Sequence, residues 1–261
     1  MNVFDGVIEG FRKRSGEMTF LDRVDDVRMR LFRAAVVLVI GTAAGFWVAM
    51  NYNVLGFFTR PVMPFLGGQR LKYLDPVDPF YITFQLALCI GVLVTLPYLL
   101  RQLWLLIEPM LLAGEKRLVR FSILGGVAFF FAGVFFCYYL TLPLILRFTM
   151  GFQTESLEQS VVVSDYLAMV LRLMGAFGIA FELPILVLLG TVLGVVTPQF
   201  LVEKRRYAIA IVMILSAVVT PADVSSMLLL AIPAMVLYEI GILLSRMFAG
   251  RPALMETAGE A

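Results

Sequence analysis

Carboxylates near the start of the chain and in one later loop are the side chains best suited to bind a charged ligand. Asp22, Asp25 and Asp26 lie close together, and Glu115 follows a long apolar run. A carboxylate can accept two parallel hydrogen bonds from a guanidinium group, so these acids could bind arginine. A structural interpretation also stands, because acids stabilise the positive end of a helix and Gly114 can end the helix before Glu115. Spacing alone leaves both interpretations open.

Another carboxylate, Glu182, lies inside an apolar run, two residues before Pro184. A carboxylate at the centre of a bilayer costs about 3 kcal/mol on insertion scales, so it usually marks a function or a hydrated cavity. Pro184 has no amide hydrogen for the carbonyl of Ala180, so we expect the helix to kink here. Glu182 is then either protonated and hydrogen-bonded between helices, or in contact with water inside the membrane.

Two further charged residues, Arg172 and Glu239, also lie in apolar runs. Arg172 precedes Glu182 by ten residues, which separates them by ~15 Å along a helix and by about 80° around it, so they cannot pair directly. We expect Arg172 to extend towards the outer loops and to find Asp165 or another acid there. Glu239, near the end of the last apolar run, is expected to be hydrated.

The composition is that of an integral membrane protein, since 61% of the 261 residues are hydrophobic and only 15% are charged. The chain contains no histidine, which removes the commonest general base and the commonest metal ligand. Both cysteines lie in apolar runs, and there is no phosphate-binding loop motif. We therefore expect no metal, no cofactor and no catalytic residue, and an intramembrane enzyme is a remote alternative.

Apolar runs predict an all-α membrane protein with six transmembrane helices, of which the fifth and sixth are short. The cluster Thr220 to Asp223 favours a turn between the last two runs, which makes them a helical hairpin. A single polytopic domain is expected over 1–261, with tails at 1–18 and 249–261. The six runs are 31–50, 80–100, 121–146, 166–193, 207–219 and 226–244.

Lysine and arginine are distributed unequally between the two sides of this topology. Sixteen lie in the terminal segments and the loops on the side of the N-terminus, against four on the opposite side. The excess predicts that both termini are cytoplasmic. Pro61 and the turn-forming pair Gly67 and Gly68 indicate that the first outer loop is an ordered cap. Two glycine pairs favour close helix packing: Gly41 with Gly45, and Gly190 with Gly194.

Four segments, taken in order, resemble the TatC family, the multi-span receptor subunit of the twin-arginine protein translocase. They are Phe20–Leu31, Ile107–Arg117, Phe177–Pro184 and Thr220–Asp223. The resemblance runs from about residue 18 to 248. It implies an inner (cytoplasmic) membrane protein of bacteria or archaea that binds twin-arginine signal peptides at the cytoplasmic face and initiates export of folded proteins, driven by the proton gradient.

The resemblance also implies roles for particular residues and partners. The signal contact would be made by Asp26, which is shorter than the usual glutamate, and by Glu115, with Arg28, Leu106 and Pro109 beside them. The structural or periplasmic positions would be Pro61, Pro184, Pro221 and Asp223. The expected partners are single-span Tat subunits, further copies of the chain and the lipid bilayer. Nucleic acid is not expected as a partner.

A different function class is a proton-coupled secondary transporter of small solutes that uses Glu182. A charged group beside a broken helix near the middle of the membrane is typical of such proteins. Their folds contain internal repeats with corresponding broken helices, and the sequence shows no such repeat.

Overall fold

The computed structural model describes residues 20–68, 71–107, 116–151, 160–220 and 224–249. Helices dominate these residues, as the composition predicts, and the all-α class is confirmed. The helices are α1 (Phe20–Asn51), α2 (Val54–Thr59), α3 (Asp78–Ile107), α4 (Lys116–Phe136), α5 (Leu142–Met150), α6 (Val163–Phe181), α7 (Leu183–Val192), α8 (Pro198–Glu203), α9 (Arg205–Val219) and α10 (Val224–Ala249).

Five stretches of the described chain are long and apolar enough to cross a membrane. They coincide with five of the apolar runs and are Asp25–Asn51, Asp78–Leu103, Leu124–Met150, Val163–Val192 and Val224–Met247. The remaining run forms α9, whose 15 residues extend only about 22 Å, so the fifth helix is short as predicted. Six crossings and cytoplasmic termini remain predictions.

The last helix differs from its prediction. We expected a short sixth helix over 226–244, but α10 has 26 residues and continues to Ala249. The apolar run ends before the helix does, because Ser245 and Arg246 interrupt the hydrophobicity without interrupting the backbone hydrogen bonds. Pro233 lies inside α10 and does not end it.

The predicted break at Pro184 is present, and it divides one membrane stretch into α6 and α7. Glu182 lies between the two helices, where its amide donates to the carbonyl of Ile179 at 3.1 Å. The carbonyl of Glu182 accepts from the amides of Ile185 and Leu186, at 3.0 and 2.9 Å. The break is therefore a local change of hydrogen-bond pattern that leaves both helices intact.

Glycine lets α1 and α3 pack with their backbones in contact. A Cβ added to Gly45 would collide with the carbonyl oxygen of Ala87, and one added to Gly91 would lie 2.7 Å from the amide nitrogen of Thr42. The prediction for Gly41 and Gly45 is confirmed. For Gly194 it is wrong: this residue follows the end of α7 with φ +71°, and the amide of Val195 donates to the carbonyl of Gly190 at 2.9 Å.

An apolar core lies at one end of the bundle, where Asn51, Asp78, Met150 and Val163 end or begin helices. We call this the outer end, because it is predicted to face away from the cytoplasm. The core joins α5 and α6 to the first outer loop, whose Phe58, Val62 and Leu66 are buried. The predicted cap is thus an ordered structure in the described residues.

Side-chain and backbone hydrogen bonds attach this cap to the bundle. Tyr138 donates to the carbonyl of Phe57 at 2.7 Å, and Tyr166 donates to the carbonyl of Phe58 at 3.0 Å. Lys72 exchanges backbone hydrogen bonds with the segment before α6, through its amide to Val161 and its carbonyl to Val163. Pro61 lies half-buried in the turn after α2, where its fixed φ suits the change of direction.

Replacement of Gly45 by leucine should destabilise the fold, because the new side chain forces α1 away from the carbonyl of Ala87. Overpacking of this kind costs about 1–3 kcal/mol. Thermal unfolding of the purified protein in detergent should show a midpoint several degrees lower than that of the wild type. Gly175→Ala is the matched control, since an added Cβ there meets no atom within 4 Å. Equal midpoints for both variants would contradict the close packing of α1 against α3.

Candidate functional site

The first candidate site residue, Asp26, lies on the second turn of α1 with an exposed side chain. Its Oδ2 accepts a hydrogen bond of 2.8 Å from Nε of Arg30, one turn further along the same helix. The side chain of Asp26 is 48% exposed, against 19% for Arg30. Arg28 is also exposed, on a different face of α1. Asp26 is therefore presented to solvent beside one guanidinium group, that of Arg30, which it already binds.

The remaining residues expected to bind the signal peptide lie at or beyond the end of α3. Leu106 belongs to the last turn of α3. Pro109 and Glu115 fall in 108–115, outside the described residues. The described part of α4 begins at Lys116, so the interpretation of Glu115 as the residue that opens this helix stays a prediction. Pro221 and Asp223 also lie outside the described residues.

Glu182 is buried, with 9% of its surface exposed. Its carboxylate packs against α4 at Gly126, where an added Cβ would lie 3.0 Å from Oε2 and 3.2 Å from Oε1. Oε1 is shielded from solvent and has no hydrogen-bond partner among the described residues. The interhelical hydrogen bond considered for this oxygen is thus not formed there, and contact of Glu182 with water remains a prediction.

The other side of the break meets a second glycine, on α10. A Cβ added to Gly241 would lie 3.1 Å from Cα of Pro184 and 3.1 Å from Cβ of Val187. Pro184 itself is buried. The break is therefore enclosed by α4 on the side of Glu182 and by α10 on the side of Pro184. Each contact is this close because the facing residue is a glycine.

Arg172 does not pair with Asp165 in the described structure. Its Nε donates to the carbonyl of Ala168, one turn earlier in α6, at 3.1 Å, and its side chain is exposed. The ion pairs formed between described residues involve other acids, Asp26 and Glu239. The expected pairing of Arg172 with Asp165 is therefore wrong, whereas pairing with another outer acid stays a prediction because Glu155 and Glu158 lie outside the described residues. Arg172 borders a cavity between helices.

An ion pair between α9 and α10 was missed by sequence reasoning. Nη2 of Arg205 lies 2.7 Å from Oε2 of Glu239, and both side chains are 45% exposed. Glu239 was expected to be hydrated, and its side chain is indeed half-exposed, but no partner was predicted for it. The positions of the two residues in the hairpin could have indicated this pair. The turn of the hairpin lies near residue 222, and Arg205 is as many residues before it as Glu239 is after it. Tyr238, the neighbour of Glu239 in α10, links α10 to α8 by donating to the carbonyl of Leu201 at 2.8 Å.

Five stretches of these helices are apolar and long enough to cross a membrane, and one of them is broken at a buried carboxylate. The fold is therefore that of an all-helical multi-pass membrane protein. The sequence model of the family described as Sec-independent protein translocase protein (TatC) matches residues 22–233. The chain belongs to the TatC family, and it is a component of a protein translocase.

Similar proteins cover nearly the whole chain. TatC of Aquifex aeolicus is 34% identical over 232 residues, which are 88% of this chain and 95% of the relative. TatC of Deinococcus radiodurans is 35% identical, over 87% of this chain and 85% of the relative. TatCy of Bacillus subtilis is 29% identical, over 90% and 91% of the two chains.

Two crystal structures have the same fold. One, described as the twin-arginine translocase receptor TatC, matches with a TM-score of 0.78 and 34% identity, over 86% of this chain and 98% of the other. The second, the receptor in the detergent DDM, matches with a TM-score of 0.77 and 35% identity, over 85% and 99% of the two chains. The architecture described above is therefore that of this family.

The ion pair between Arg205 and Glu239 should contribute measurably to the attachment of α9. We expect Arg205→Glu to lower the thermal unfolding midpoint, because it places two carboxylates side by side. The double variant Arg205→Glu with Glu239→Arg should recover most of the loss. Half-exposed pairs are worth about 0.2–1 kcal/mol, so the recovery is modest and needs the double-mutant comparison. No recovery in the double variant would show that the two side chains do not interact.

Proposed function

We propose that this protein is the receptor subunit of a twin-arginine translocase in the inner membrane, where it binds twin-arginine signal peptides on the side of its N-terminus. Membership of the TatC family, with alignment over almost the full length of the relatives, carries this proposal. The binding step needs no covalent chemistry, and we infer that the protein is a receptor and scaffold and not an enzyme.

An exposed carboxylate that already binds a guanidinium group supports Asp26 as one contact. The geometry with Arg30, 2.8 Å between Nε and Oδ2, demonstrates that an arginine can donate to this carboxylate. Arginine offers a planar pair of donors that lysine lacks, so a site of carboxylates discriminates between the two. We propose that Asp26 and Glu115 together bind the two arginines of the signal peptide.

Arg30 then competes with a signal-peptide arginine for the carboxylate of Asp26. It occupies one oxygen of Asp26, and a signal arginine has either to share the carboxylate or to displace Arg30. Ion pairs between residues four apart in a helix are worth only about 0.3–0.5 kcal/mol, so displacing Arg30 costs little. The internal pair would keep Asp26 oriented between binding events.

Solute transport, the alternative function, would require Glu182 to border a path through the protein. The cavity that Arg172 borders is not lined by Glu182. The carboxylate of Glu182 faces the backbone of Gly126 instead. We therefore propose that Glu182 acts in protein export, as a polar group that weakens the apolar barrier at the break between α6 and α7.

Binding of a signal peptide should depend on its arginines and on Asp26. We expect a peptide with the Arg-Arg pair to bind roughly tenfold more tightly than its Lys-Lys version, because charge-assisted paired hydrogen bonds are lost with lysine. Asp26→Asn and Glu115→Gln should each reduce that preference. Fluorescence titration of labelled peptides against the reconstituted protein measures it. Asp25→Asn is the matched control, since Asp25 is also exposed but is not placed in the contact.

A further variant tests the role of Arg30 in the same assay. Arg30→Gln should raise the affinity for the Arg-Arg peptide about twofold, because Asp26 then has no internal partner. Equal binding of the Arg-Arg and Lys-Lys peptides to the wild type would refute the receptor proposal.

Replacements of Glu182 should show whether export requires a charged side chain at this position or only a polar one. Glu182→Gln retains a polar group of the same shape and is expected to support export of a folded reporter. Glu182→Leu makes the break apolar and should reduce export several-fold. Export is measured in cells that lack their own copy of the protein, and signal-peptide binding should be unchanged in both variants. Normal export with leucine would contradict the role proposed for Glu182.

A further inference from the structure

A cavity of about 590 Å³ opens between α3, α4 and α6. It lies on the membrane-spanning part of the protein, away from the signal-peptide site proposed at Asp26. The residues around it differ in polarity along the membrane. Apolar side chains such as Leu88 and Phe130 line one part, and the polar side chains of Tyr81, Gln85 and Arg172 line another.

The polar lining residues share a depth near the outer end of the bundle. Gln85 is seven residues, or about 10 Å, into α3, and Arg172 is nine residues, or about 14 Å, into α6. Leu88 follows Gln85 in α3 and lies deeper. The cavity is therefore amphipathic, with its polar part towards the outer interface and its apolar part towards the middle of the membrane.

Two groups in the polar part lack suitable partners among the described residues. Oε1 of Gln85 is shielded from solvent and accepts no hydrogen bond there. Arg172 uses Nε on the carbonyl of Ala168 and forms no ion pair with a described acid. A guanidinium group within a membrane span is costly and calls for a counter-charge. The cavity thus presents a cation for an anion and a buried acceptor for a hydroxyl or amine donor.

We propose that this cavity binds an anionic phospholipid whose headgroup carries hydroxyl groups, of the phosphatidylglycerol type. The phosphate would accept from Arg172, a headgroup hydroxyl would donate to Gln85, and an acyl chain would lie along Leu88 and Phe130. The cavity of about 590 Å³ suits the headgroup and part of an acyl chain, since ligand cavities measure about 300–1,000 Å³.

Native mass spectrometry of the full-length protein in detergent tests the proposal. Phosphatidylglycerol, phosphatidylcholine with the same acyl chains, and inorganic phosphate are added in separate titrations. We expect phosphatidylglycerol to bind about tenfold more tightly than phosphatidylcholine, and inorganic phosphate alone not to be retained. Arg172→Gln should remove this preference. Arg147→Gln, which removes an exposed arginine outside the cavity, should retain it.

Gly175→Leu tests the cavity itself without changing charge. Gly175 lines the cavity, and an added Cβ meets no atom within 4 Å, so leucine fills the space without a clash at its Cβ. It should reduce retention of both lipids, with an unfolding midpoint like that of the wild type. Gln85→Leu gives a second variant, which should weaken phosphatidylglycerol alone.

Equal lipid retention by Arg172→Gln and the wild type would overturn the proposal. So would equal losses in Arg172→Gln and Arg147→Gln, because they would indicate a general effect of charge. Retention of inorganic phosphate as strong as that of the lipid would assign the site to the free anion and also overturn it. If Gly175→Leu leaves lipid binding intact but prevents copurification of a single-span subunit, the cavity is a protein-docking site and the lipid proposal is wrong. Signal-peptide binding is a separate measurement, and its outcome does not depend on this cavity.

Discussion

The missing amide of Pro184 is the constraint on which the centre of this protein depends. A backbone carbonyl in a membrane has to find a donor within the protein, and Pro184 offers none to Ala180. The chain responds by ending α6 and beginning α7, with Glu182 at the junction. Two neighbouring helices then approach the junction closely, α4 through Gly126 and α10 through Gly241. An added Cβ at either glycine would lie only 3.0–3.2 Å from atoms of the junction, so both neighbouring helices limit the space around the buried carboxylate.

A second proline, Pro143, lies in another membrane stretch and changes the helix there in a different way. Before Pro143 the chain forms a π-helical turn, Cys137–Thr141, in which the amide of Leu142 donates to the carbonyl of Cys137. The helix continues on both sides of this turn, because the extra residue absorbs the missing hydrogen bond. Tyr138 belongs to the turn and reaches the carbonyl of Phe57 in the cap. One proline thus helps to attach the outer cap, and the other creates a polar junction inside the membrane.

The two ends of the bundle are stabilised by different interactions. At the outer end an apolar core and two tyrosine hydrogen bonds join the cap to α5 and α6. Towards the opposite end lie the ion pairs that the described residues form, between Asp26 and Arg30 and between Arg205 and Glu239. Exposed pairs are weak and exchange easily, whereas a packed core does not. A weak ion pair at that end fits the proposal that Asp26 changes partners when a signal peptide binds.

Local sequence was enough to predict the helical class, the positions of the membrane stretches, the short fifth helix, the break at Pro184 and the ordered cap. These features follow from the length of apolar runs and from the hydrogen bond that proline lacks. The contacts between helices could be known only from the packed structure: Arg205 with Glu239, Gly126 beside Glu182, and the cavity that joins Gln85 to Arg172. That structure also decided that α10 is long. Contacts between helices depend on the rotation and depth of each helix, and a helix that is apolar on every side carries no periodic signal that specifies them.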